Sequence, residues 1–135
     1  MLNVSDNNHK EYIKLEDYKF FDYEIPNIFL DFIIEDTRVI VKTELEFIKK
    51  NTNTNTLILD GIDILIEKIY LDESLLLENN YSIQKNSLLI KSIIKNTFTL
   101  KIEGTIKPKE NVSLLGMYES NGIITTQCEA EGFRR

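Results

Sequence analysis

An all-β fold is what this sequence predicts, with antiparallel sheets packed face to face or curled into a saddle and helix as a minority element. Three observations lead there. Apolar residues recur at every second position in several segments, the period of a strand buried on one face. Isoleucine is used throughout, alanine occurs only at Ala130 and tryptophan is absent; branched side chains at that density favour extended backbone. Turn-forming residues separate the apolar segments at short intervals, as packed antiparallel sheets require.

The elements follow in chain order. Residues 1–17 form a polar lead-in carrying the single histidine, His9, and residues 18–135 are expected to make one all-β domain. Ile28, Leu30, Phe32 and Ile34 mark one face of a strand, Glu35-Asp36-Thr37 a turn, and Val39, Val41, Thr43, Leu45 and Phe47 the returning strand of a long hairpin. Asn51 to Thr56 alternates asparagine and threonine, whose side chains bond locally to backbone, and reads as a surface loop. Leu57-Ile58-Leu59 is a short strand before the turn at Asp60-Gly61.

Ile62 to Leu71 is ambiguous. Ile62, Leu65, Ile66 and Ile69 fit a helix face, whereas Ile62, Ile64 and Ile66 fit a strand; the isoleucine content and the preceding Asp-Gly turn favour strand. Tyr81 to Gln84 and Leu88 to Ile90 form a second hairpin. Phe98, Leu100, Ile102, Gly104 and Ile106 alternate with polar residues as the clearest half-buried strand, which Pro108 ends. Gly116 to Ala130 holds two extended runs around Ser120-Asn121-Gly122, where Asn-Gly supplies the positive φ angles of a tight turn. Glu73 to Asn79 and Ser87 to Asn96 are the places where a helical turn would fit.

Composition narrows the function. The 135 residues are 42% hydrophobic and 28% charged, enough apolar content for a packed core. Sixteen basic against 22 acidic residues give a net charge of −6, which repels a nucleic-acid backbone. No apolar run reaches the roughly 20 residues of a membrane-spanning helix, so neither nucleic acid nor membrane is expected as a partner. The opening Met1 to Asp6 has neither a basic nor an apolar leader region, and Cys128 is the one cysteine; both point to the cytoplasm. Asn3-Val4-Ser5, Asn80-Tyr81-Ser82 and Asn111-Val112-Ser113 fit a glycosylation pattern that recurs by chance.

Chemistry-bearing motifs are few. One histidine excludes a His-pair zinc site, H-E-x-x-H does not occur, and no phosphate-cradling glycine motif is present. The chain alone is therefore expected to bind no zinc and catalyse nothing. The informative string is Gln127-Cys128-Glu129-Ala130-Glu131-Gly132-Phe133-Arg134. If Thr125 to Ala130 is extended, Gln127 and Glu129 share one face with Cys128 on the other. A carboxamide and a carboxylate so placed can hold a cationic amine. On chemistry alone the plainer reading prevails: a solvated polar strand face, with Cys128 toward the core.

That string closely resembles the segment joining the first and catalytic domains of bacterial-type aminopeptidase N, a gluzincin. Ser113-Leu114-Leu115-Gly116-Met117-Tyr118 is similar to the family's N-x-x-L-x-G-L/M-Y element. Leu15-Glu16-Asp17-Tyr18 and Leu57-Ile58-Leu59-Asp60-Gly61 resemble its first domain in the same order. The resemblance implies a saddle-shaped β-sandwich as amino-terminal domain, peptide substrates with a free amino terminus, and catalytic zinc held elsewhere in the full-length protein. It assigns Gln127 and Glu129 to the substrate α-amine; the related leukotriene-hydrolase branch carries Q-C-Q-A instead, so Glu129 favours the aminopeptidase branch. The G-A-M-E-N loop and zinc motif are missing here, so the chain is expected to stop before the catalytic domain, its partner within the same polypeptide. The alternative is a non-catalytic β-sandwich interaction module.

Overall fold

A computed structural model describes residues 14–128. Among them are eleven strands and three single 3-10 turns, at Leu15–Asp17, Glu78–Asn80 and Pro108–Glu110. In chain order the strands are β1 (Tyr23–Glu24), β2 (Ile28–Ile34), β3 (Val39–Lys49), β4 (Leu57–Asp60), β5 (Leu65–Leu71), β6 (Ser74–Leu75), β7 (Tyr81–Ile83), β8 (Ser87–Ile90), β9 (Thr97–Ile106), β10 (Gly116–Ser120) and β11 (Ile123–Gln127). His9 and most of the polar lead-in lie outside the described residues.

Every strand pairing is antiparallel, as expected. The largest sheet runs β1-β3-β9-β5-β6, with β2 also pairing β3, beyond β1 along the same side. A three-stranded sheet runs β4-β8-β7, and β10-β11 stands as a third. β3 and β9 pair over ten positions, from Val39 opposite Ile106 to Ile48 opposite Thr97. Their alternation puts Leu45, Phe47, Phe98 and Leu100 on one face, which is buried, and Glu44, Glu46, Thr99 and Lys101 on the other.

The sandwich closes where the three-stranded sheet covers that apolar face. Leu57 from β4 and Leu88 and Ile90 from β8 join Tyr23, Phe47, Ile69, Phe98 and Leu100 in one buried cluster. Phe47 and Phe98 stack with centroids 5.0 Å apart, and Tyr23 stands edge-on to both, its hydroxyl donating to the carbonyl of Thr56 at 2.7 Å. Aromatic pairs of this geometry add about 0.5–1.5 kcal/mol to what burial itself contributes, so the trio ties β1, β3 and β9 of the large sheet together on its buried face.

The ambiguous segment resolves as strand, and the structure shows why it also looked helical. β5 begins at Leu65, after Asp63 turns with φ 57°, so Ile62 and Ile64 precede the strand. A bulge then lies between Ile66 and Lys68, opposite Gly104 and Glu103. It leaves Glu67 unpaired in the ladder and puts Ile66 and Ile69 on the same inner face, a helix-like spacing of three within a strand. The Glu67 carboxylate accepts the Thr105 hydroxyl at 2.7 Å, anchoring the bulge. Of the two possible helical sites, Glu73 to Asn79 contains β6 and then the turn at Glu78–Asn80, and Ser87 begins β8.

Candidate functional site: the carboxyl-terminal hairpin

The hairpin that carries the informative string is set by its turn. Asn121 and Gly122 both have positive φ, 51° and 81°, the geometry of a two-residue I′ turn whose twist matches that of the flanking strands. The register that follows places Ser120 opposite Ile123, Tyr118 opposite Thr125, and Gly116 opposite Gln127. Tyr118, Thr125 and Gln127 therefore share one face, with Met117, Glu119, Ile124 and Thr126 on the other.

The base of the hairpin is tied by Asn111. Its amide Nδ2 donates to the carbonyls of Leu115 at 2.7 Å and Met117 at 2.9 Å, while its Oδ1 accepts from the Ser113 amide at 3.0 Å and hydroxyl at 2.8 Å. These bonds support backbone that is left-handed at Leu114 (φ 57°) and Gly116 (φ 74°). Asn111, which from sequence stood out only in a chance glycosylation pattern, is the asparagine that opens the N-x-x-L-x-G element. The pattern's spacing was the available signal, since an asparagine side chain bonds local backbone and favours such turns.

Gln127, the last residue of β11, is half-buried, and the Tyr118 hydroxyl approaches its Oε1 at 3.4 Å. Directly opposite, among the described residues, nothing lies within 4 Å of where a Cβ on Gly116 would stand. Tyr118 had not been singled out as a site residue; only the hairpin register brings it to Gln127. Glu129, the proposed carboxylate, lies outside the described residues, as do Glu131 to Arg135. Cys128 is exposed, which overturns the reading that turned it toward the core: β11 ends at Gln127, so strand alternation no longer sets its direction.

The opposite face of the hairpin meets the turn at Pro108–Glu110. Lys109 pairs with Glu119 at 3.6 Å, and a depression of about 260 Å³ between Ile34, Arg38, Pro108, Glu119 and Ile124 separates the hairpin from the β2–β3 turn. Among the described residues no group of three or more His, Cys, Asp or Glu side chains is placed to hold a metal ion. The described residues thus do not fit a zinc site. No helix among them is long and apolar enough to cross a membrane.

Comparison with known proteins gives the architecture a class. Native yeast LTA4 hydrolase (TM-score 0.55, 18% identity, 65% of this chain and 15% of that one) shares the fold. So does an M1 zinc metallopeptidase from Deinococcus radiodurans solved with a Tyr-Ser-Ala substrate (TM-score 0.59, 9% identity, 75% and 25%). Aminopeptidase A of Legionella pneumophila, solved with aspartic acid, superposes at TM-score 0.77 with 34% identity, over 91% of this chain and 15% of its own. The fold is that of a β-rich part of an aminopeptidase.

The sequence relatives are more particular. Aminopeptidase N of Haemophilus influenzae is 32% identical over 120 residues, that of Caulobacter vibrioides 34% over 122, and that of Escherichia coli K12 30% over 118. These matches take in 87–90% of this chain but 13–14% of the relatives, so the chain spans about one-seventh of their length. No protein-family model matches it. The chain belongs with aminopeptidase N, as the counterpart of that protein's amino-terminal β-domain.

Proposed function

We propose that this chain is the amino-terminal domain of a cytoplasmic zinc-dependent aminopeptidase that releases amino-terminal residues from peptides. The observation that carries this reading is the 30–34% identity to three proteins named aminopeptidase N over nearly the whole of this chain. Zinc and the groups that activate water would be supplied by sequence that the relatives carry outside the matched region. This chain contributes scaffold and one wall of the substrate's amine site.

In that wall Gln127 and Glu129 receive the α-ammonium. The carboxamide of Gln127 stands at the end of β11 opposite Gly116, and an amide oxygen accepts a hydrogen bond from an ammonium. The Glu129 carboxylate adds a charge-assisted bond, roughly twice as strong as a neutral one. A carboxylate that meets an internal peptide bond is left unpaired, whereas an α-ammonium satisfies it, so chain ends are preferred. The Legionella relative, solved with a free amino acid, supports a site that recognises that group.

The test is Glu129→Gln in the natural polypeptide that carries this sequence, assayed on aminoacyl amides with free and acetylated amines. A charge-assisted bond of roughly 1.5–3 kcal/mol corresponds to a fall of about one to two orders of magnitude in kcat/KM. The fall should occur with free amines only, with metal content unchanged. Unchanged kinetics on free-amine substrates, or loss of zinc, would remove Glu129 from amine recognition.

A further inference from the structure

β2 ends the large sheet on one side, yet it is not built as an edge. Its seven residues pair with β3 along their whole length, and no described strand pairs along its other side. Apart from Asp31 all are apolar, and those six are between 39% (Ile33) and 62% (Ile34) exposed. By register Ile28, Leu30, Phe32 and Ile34 share the inner face with Leu45 and Val39, while Phe29 and Ile33 lie on the outer face beside Glu44 and Ile40. Strands that stay at an edge are kept short, or carry lysine, proline or a bulge. The opposite edge obeys this, since β6 has two residues; β2 is long, unbroken in register and apolar on both faces, the pattern of a strand inside a sheet.

We propose that β2 is an interior strand of a wider sheet, its outer edge taking up a further extended segment from the polypeptide that the relatives carry beyond the matched region. The incoming strand is apolar on both faces and carries a basic residue opposite Asp31. A second copy is a poorer occupant. Symmetric antiparallel pairing over the full strand sets Asp31 against its own copy, and like charges directly opposite destabilise a ladder. Shifting the register to avoid this shortens the overlap, and each copy brings a net charge of −6 to the contact. A segment of different sequence meets neither obstacle, and about six-sevenths of each relative lies outside the match.

This proposal rests on the reading that the chain is one domain of a longer protein. The experiment is residue-resolved amide hydrogen exchange on the natural polypeptide, at two concentrations tenfold apart. An edge strand protects only the alternate amides that face β3; an interior strand protects them all. Protection of every amide from Ile28 to Ile34, slowed about tenfold or more over exposed loop amides and independent of concentration, is the expected result. Protection of alternate amides alone overturns the proposal, and protection lost on dilution assigns the edge to a second copy and overturns it too. An aminopeptidase assay on the same preparation separates the two readings: an active enzyme with an open β2 edge sinks only this proposal, and an inactive protein with a fully protected β2 sinks only the function.

Discussion

The Nζ of Lys49 lies 2.6 Å from the carbonyl oxygen of Ile93, inside the sandwich, with Lys49 8% exposed. The ammonium also reaches Asn55 Oδ1 at 3.3 Å, and the Ile93 amide donates to the Asn55 carbonyl at 2.9 Å. One buried lysine thus ties the end of β3 to the loop before β4 and the loop after β8.

Replacing Lys49 by methionine keeps the stem and removes the donor. The Ile93 carbonyl then stays buried without it, and leaving such a group unsatisfied costs about 1–3 kcal/mol. Urea unfolding of the Lys49→Met chain should show a lower midpoint with the slope retained. An unchanged midpoint would mean that desolvating the ammonium cancels its bonds.

Asp72 sets a pH dependence. Its carboxylate accepts from Lys95 Nζ at 2.6 Å and from the Thr99 amide at 2.9 Å; the Lys95 bond first, then the backbone bond, hold its pKa below the ordinary carboxylate value. A group depressed in the folded state stabilises fully above its unfolded pKa, about 3.9, and the contribution is lost as pH falls from there through the folded pKa. Unfolding midpoints of the native chain and Asp72→Asn should therefore differ at neutral pH and converge on acidification. Parallel profiles down to the acid end would contradict this.

Gly104 sits in β9 opposite the bulged β5, where an added Cβ would lie 3.1 Å from Ile64 Cγ2 and 3.1 Å from the Leu65 carbonyl oxygen. Replacing glycine elsewhere in a strand gains about 0.4–1 kcal/mol through the unfolded state, but overpacking costs about 1–3 kcal/mol, and backbone at Leu65 is the less able to yield. Gly104→Ala should lower Tm and Gly104→Val lower it further. A higher Tm for the alanine variant would show that the bulge relaxes freely.

Much of this was legible along the chain. The alternation from Phe98 to Ile106 identifies a strand and its buried face because a pleated strand sends successive side chains to opposite sides. Asn121-Gly122 fixes the hairpin turn because few other residues take positive φ at both positions. The string from Gln127 to Arg134, with the elements before it, points to aminopeptidase N.

What only the tertiary structure decided concerns residues distant in sequence. That β3 pairs with β9, and β9 with β5, depends on which apolar faces can be buried together, and no local period encodes that. The bulge that sets Ile66 on the same face as Ile69 lies opposite Gly104 and Glu103, on a strand more than thirty residues away. The burial of Lys49 depends on loops that approach from both sides, and the meeting of Tyr118 with Gln127 on a register propagated from the turn. Local alternation tells each side chain which way to face; long-range packing chooses what it faces, because burial is shared between strands that the chain keeps far apart.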